Sequence, residues 1–177
     1  MPQIKIREWN EKPRTKLRFI KIGDIFCYQF SEEMFVFGQI LGKVNVGHVI
    51  QFFDIFQASP TITVEELSRA QFIGKPIIID SHTLFDRSPV WSWQIIGHQV
   101  DFDPSPFKYL AFKWGDPNGL HFGKVRLDGR REPKIFSREE VEDLDWEACV
   151  GSIVYNRILE EELASRGNKG VLDGLCR

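Results

Sequence analysis

Little in this chain assigns it at first sight. Its three cysteines, Cys27, Cys149 and Cys176, are odd in number, far apart and without a CxxC pair. That argues against a disulfide framework and against a cysteine-based zinc site. No apolar run approaches the roughly 20 residues of a membrane span. No apolar segment follows Met1-Pro2-Gln3-Ile4-Lys5, so no secretory leader is expected. The cytoplasm, where thiols stay reduced, is the expected compartment. P-loop, GxGxxG, HExxH and nucleophile-elbow patterns are missing, so no cofactor is expected and no enzyme class is named by motif. Ser92 lies between two tryptophans in an apolar run and reads as an outward polar position. Repeats and low-complexity tracts are also lacking.

What is present is an ordinary packed protein. Of 177 residues, 42% are hydrophobic and 27% charged, with 15 Phe and five Trp. A chain of this length buries roughly 70% of its unfolded surface and needs no covalent staple. Residues 1–16 are polar and basic and read as an arm, held by Ile4, Ile6 and Trp9. Residues 17–166 read as a single domain and residues 167–177 as a loose tail. Cys27 sits within an apolar strand and reads as a core residue.

The organising stretch is residues 17–56. Ile20, Ile22, Phe26, Tyr28 and Phe30 alternate with period two, interrupted by Asp24. Phe35, Phe37 and Leu41 form the next stripe, broken by Gln39, and Val46, Ile50, Phe52 and Phe56 the third. The breaks between runs are short, which joins antiparallel neighbours. Both parities are partly apolar, so each face needs a cover. Pro76-Ile77-Ile78-Ile79 is too short and β-branched for a helix. Strands are also expected over residues 90–97, with Trp91, Trp93 and Ile95 on one face, and over residues 108–114 and 121–127, the last two as a hairpin.

Two capping boxes, Thr63-Val64-Glu65-Glu66 and Ser137-Arg138-Glu139-Glu140, predict helix starts. Tyr155, Ile158, Leu159 and Leu163 predict a third helix over residues 152–166, stopped by Gly167. The fold class is α+β: a mainly antiparallel curved sheet or partly open barrel with two or three short helices.

Three groups of residues could carry chemistry. Asp80, His82, Asp86 and His98 could form a hydrolytic or metal site on a loop, although loops after strands hold such residues as caps and turns as well. His48 and His121 read as hydrogen-bonded structural residues. Seven cations within the first 21 residues, flanking Trp9 and Phe19, could meet nucleic acid. The chain's formal charge of −2 speaks against that reading. Glu139, Glu140, Glu142, Asp143, Asp145 and Glu147 are uninterrupted by any basic residue. Helix-dipole compensation accounts for the first two only. The rest suits a cationic protein partner.

Ile22-Gly23-Asp24-Ile25-Phe26, then Phe35-Val36-Phe37-Gly38-Gln39-Ile40-Leu41, resembles the opening of the immunity protein 26 family, and Trp93-Gln94-Ile95-Ile96-Gly97 resembles a second landmark. The resemblance covers roughly residues 16–97, about half of the chain. The resemblance implies a small bacterial protein that neutralises a polymorphic or contact-dependent toxin by binding the toxin's C-terminal domain, without catalysis, cofactor or membrane. It carries no catalytic residues over. An acidic patch would suit a basic nuclease toxin.

Overall fold

The computed structural model describes residues 3–167. The tail expected over residues 167–177, apart from Gly167, lies outside the described residues, as does Cys176. In chain order the elements are β1 (Ile4–Ile6), β2 (Asp24–Ser31), β3 (Met34–Val44), β4 (Gly47–Gln57), α1 (Val64–Arg69), β5 (Phe72–Ile79), β6 (Trp93–Gln99), β7 (Ala111–Gly115), β8 (Phe122–Arg126) and α2 (Ser152–Ser165). Six strands form one antiparallel sheet in the order β1-β6-β2-β3-β4-β5, and β7 and β8 form a separate hairpin. The sheet is open: β1 and β5 are its two edges. The α+β class and the central β2–β3–β4 meander follow the sequence reading.

Both faces are covered, as the two-sided apolar pattern requires. On one, Phe26, Tyr28, Val36, Ile40, Ile50, Phe52, Trp93 and Ile95 pack under α2 through Tyr155, Leu159 and Leu163. On the other, Ile25, Cys27, Phe35, Phe37, Phe53 and Ile96 lie beneath Ile62 and Leu67 of the α1 region, with Ile4 and Trp9 of the arm at the margin. The hairpin covers the rest of that face, where Phe112, Val125 and Leu127 meet Leu41, Val44, Val49 and Ile78.

Several local expectations are corrected. Residues 17–19 form a 3-10 turn, and strand pairing begins only at Asp24. Val46 is 45% exposed because it occupies the tight turn between β3 and β4 rather than the core stripe. Trp91 stands before β6 with φ of 48°, its carbonyl accepting from Gln94 Nε2 at 3.1 Å. It therefore does not share the face of Trp93 and Ile95. Residues 4–6 of the arm form an edge strand on β6.

The Thr63 box is complete: Glu66 N–H donates to Thr63 Oγ1 at 3.2 Å, and Thr63 N–H to Glu66 Oε2 at 2.8 Å. The Ser137 box makes the same pair of bonds, at 3.4 and 2.8 Å, yet starts only a 3-10 turn, Glu139–Val141. The reason is Lys113, whose Nζ donates to the carbonyls of Val141 (3.2 Å) and Glu142 (3.1 Å). These are the acceptors a continuing helix would need. Thr63→Ala should thus lower unfolding stability by about 1 kcal/mol. Ser137→Ala should cost clearly less, because one turn depends on it. Equal losses in urea titrations would contradict this ordering.

Candidate functional site

The residues grouped from sequence as a hydrolytic or metal set are not brought together as one. Asp80 caps the turn after β5, accepting from the backbone of His82 and Thr83 and, at 2.6 Å, from the Thr83 hydroxyl. That hydroxyl bond leads the contacts that lower its pKa. Asp86 accepts from Arg14 at 2.7 Å and from Leu17 N–H at 3.2 Å, tying the arm to the domain, and Arg14 is the main cause of its lowered pKa. His82 Nε2 comes within 4.0 Å of Asp86. His98 belongs elsewhere: its Nδ1 lies 2.9 Å from Asp24 on β2. Burial pushes Asp24 upward against the hydrogen bonds from Lys21 N–H and His98. Among the described residues no group of three or more His, Cys, Asp or Glu is placed to hold a metal ion.

His48 is buried, with Nδ1 at 2.8 Å from Ser81 Oγ. Burial, aided by Lys43, lowers its pKa from 6.5 to about 4. Between those values the unfolded chain binds a proton that the native state refuses, so stability rises with pH through this window and falls as the pH drops. Acidification from pH 6.5 toward 4 should cost about 3 kcal/mol through this one group. Asp24, raised by burial, acts in the opposite sense. A His48→Gln variant should have a flatter stability profile between pH 6.5 and 4.5 than the parent. Parallel profiles from denaturant melts would refute the assignment.

The acidic segment is built as a strap. Backbone bonds link Lys113 N–H to the Asp145 carbonyl (2.8 Å) and Glu147 N–H to the Lys113 carbonyl (2.7 Å), and Val150 N–H then reaches the Ile78 carbonyl (2.8 Å). The segment therefore covers the outer edge of β7 and continues onto the edge of β5, satisfying groups that an open edge would expose. Trp146 projects between these bonds, 38% exposed, with Lys113 Nζ 5.4 Å from its ring.

The six acidic side chains divide sharply. Glu140 pairs with Lys134 at 2.6 Å and Asp145 with Lys75 at 2.7 Å. The side chain of Glu147 is only 3% exposed and meets Arg131 at 3.4 Å and Asn45 Nδ2 at 3.0 Å. These three serve the fold. Glu139, Glu142 and Asp143 are exposed and form no ion pair with any described residue. They cluster on the single turn that Lys113 holds from below.

Beside the strap, a groove of about 510 Å³ runs between hairpin and sheet over Leu41 and Leu127. Its arginines are internally neutralised: Arg126 by Glu132, Arg130 by Asp128 and Arg131 by Glu147. The groove thus carries paired charges, whereas the neighbouring turn with Glu139, Glu142 and Asp143 carries acids that no described cation neutralises.

Residues 21–119 match the family described as Immunity protein 26, which is more than half of the chain. The chain belongs to the immunity protein 26 family. No curated protein and no solved structure matches it. The family segment runs from β2 through β7 and includes β6. The acidic strap and α2 lie beyond it, as does β1. No helix among the described residues is long and apolar enough to cross a membrane.

Proposed function

We propose that the protein acts in the cytoplasm by binding the C-terminal domain of a cognate toxin in a stoichiometric complex, with the acidic turn against a cationic surface of that domain. Membership of an immunity family supports a toxin partner and a non-enzymatic role. The observation that carries the choice of surface is the exposed trio Glu139, Glu142 and Asp143, which pairs with no cation among the described residues, beside half-exposed Trp146. Three like charges on one turn repel one another mildly, and a cationic partner removes that cost. An aromatic side chain next to charged groups is the composition that anchors protein interfaces. A nuclease domain, whose surface is shaped to meet phosphates, would present the matching charge.

The test is titration of the toxin domain with this protein. Activity should fall linearly and reach zero at one equivalent, and a 1:1 complex should appear in light scattering. Full inhibition at a small fraction of an equivalent would mean turnover and would return attention to Asp80, His82 and Asp86. Failure to form a complex at micromolar concentration would overturn the proposal.

A further inference from the structure

A second cavity lies on the opposite flank of the sheet, where the arm crosses β6. Its volume is about 280 Å³, and its wall includes Lys5, Arg7, Lys12 and Lys21, with Thr15 and Phe19. Small-molecule sites run from roughly 300 to 1,000 Å³, so this one suits a small ligand. The three lysines form no ion pair and no side-chain hydrogen bond with described residues. Arg7 donates through Nε to the Ile95 carbonyl at 2.6 Å. The one carboxylate on the wall, Asp24, is already engaged by Lys21 N–H at 2.8 Å and His98 Nδ1 at 2.9 Å. Four cations therefore face the space with a single, internally satisfied anion among them.

One further atom points to a ligand. Thr15 is 3% exposed, and its hydroxyl has no hydrogen-bond partner among the described residues. Buried hydroxyls are normally partnered, and an orphan costs stability. Thr15 lines a cationic cavity, and a small rotation of its buried hydroxyl would let an anion's oxygen accept its proton. The contrast with the 510 Å³ groove is informative, because there each arginine has its own carboxylate.

We propose that this cavity binds a small phosphorylated molecule, with its phosphoryl oxygens held by Lys5, Lys12, Lys21 and the Thr15 hydroxyl. A phosphoryl group carries close to two negative charges and three acceptor oxygens, which matches several lysines better than a carboxylate does. Lysine serves such groups as a point charge. Phe19, 49% exposed with Lys12 Nζ 5.7 Å from its ring, supplies an apolar wall for the remainder of the ligand. The cations surround an open-mouthed hollow of about 280 Å³ rather than tracking a long groove, which favours a small molecule over a nucleic-acid strand. The proposal is independent of toxin binding.

The experiment is calorimetric titration of the full chain with inorganic phosphate, adenosine 5′-monophosphate and adenosine. Phosphate and the monophosphate should bind saturably, and adenosine should not. Thr15→Val should weaken binding roughly tenfold or more, as loss of a hydrogen bond to a charged group does, while its melting temperature stays level or rises. Lys12→Gln with Lys21→Gln should weaken binding at least as much. No saturable binding of either phosphorylated probe, or parental affinity in Thr15→Val, would overturn the assignment. A single-stranded oligonucleotide binding far more tightly than the monophosphate would replace it with a nucleic-acid site.

Discussion

Trp93→Ala is expected to remove about 3–5 kcal/mol of stability, the upper range for emptying an aromatic core position. Domains commonly hold about 5–15 kcal/mol in all, so the variant should sit near its unfolding threshold. Trp93 is 1% exposed and touches most of the aromatic face. Its ring stacks on Tyr28 at 4.4 Å and Phe26 at 5.2 Å. It meets Tyr155 of α2 edge-on at 5.2 Å and Phe85 at 5.9 Å. Three separate parts of the chain thus converge on it: the meander, the turn after β5 and the C-terminal helix. Each aromatic pair adds roughly 0.5–1.5 kcal/mol beyond area burial. Trp93→Phe, which keeps a ring there, should lose much less than the alanine variant. Urea unfolding gives both numbers. A loss below about 1 kcal/mol for the alanine variant would mean that this face is not assembled around Trp93.

The same residue shows where the sequence was readable and where it was not. The β2–β3–β4 meander was legible because its turns are short and its stripes alternate, so register follows from local chemistry. The place of β6 between β1 and β2 was not. Its pairing with β2 spans tens of residues, and nothing local to residues 93–99 states which strand they join. Strand β1 was missed as a strand because three residues, Ile4-Lys5-Ile6, make no alternation that stands out, and an edge needs only one partner. Bulges at Val36/Gly38 and Ile40/Gly42 shift the stripes, and the β3–β4 turn falls at Asn45-Val46, which is how Val46 came to be assigned to the core.

For the candidate surface, counting charges located the segment but not its free part. Lys75 meets Asp145 across 70 positions and Arg131 reaches Glu147 across 16. Such pairings are decided by the fold, not by neighbours in sequence. The Ser137 box was read correctly as a pair of side-chain bonds and wrongly as a helix start, because the competitor, Lys113, lies on another element. The cationic arm was visible as composition. The orphan Thr15 hydroxyl within its cavity had no signal at all, since burial of one threonine is a tertiary fact.

Reversing Glu139, Glu142 and Asp143 to lysine should slow association with the cognate toxin domain by roughly ten- to a thousand-fold at low ionic strength, the range that charge steering spans. Each reversal adds two charges, so the formal net charge moves from −2 to +4. Encounter with a cationic surface then changes from attraction to repulsion. The difference should shrink as salt rises, because the screening length falls from about 30 Å at 0.01 M to about 3 Å at 1 M. Folding should be retained, since these side chains are exposed and make no ion pair with described residues, and exposed charges contribute little to stability. Asp145→Lys is a different experiment. It breaks the bond to Lys75 and tests the strap rather than the free trio, so its effect on encounter should be smaller. Dissociation should change little in the triple variant unless one of the three is fully desolvated in the complex, where truncation acts on the off-rate. Stopped-flow association at two salt concentrations, with thermal melts as a control, separates these outcomes. Unchanged association at both salts in a folded triple variant would take the acidic turn out of the interface and leave the faces outside the strap as the toxin-binding surface.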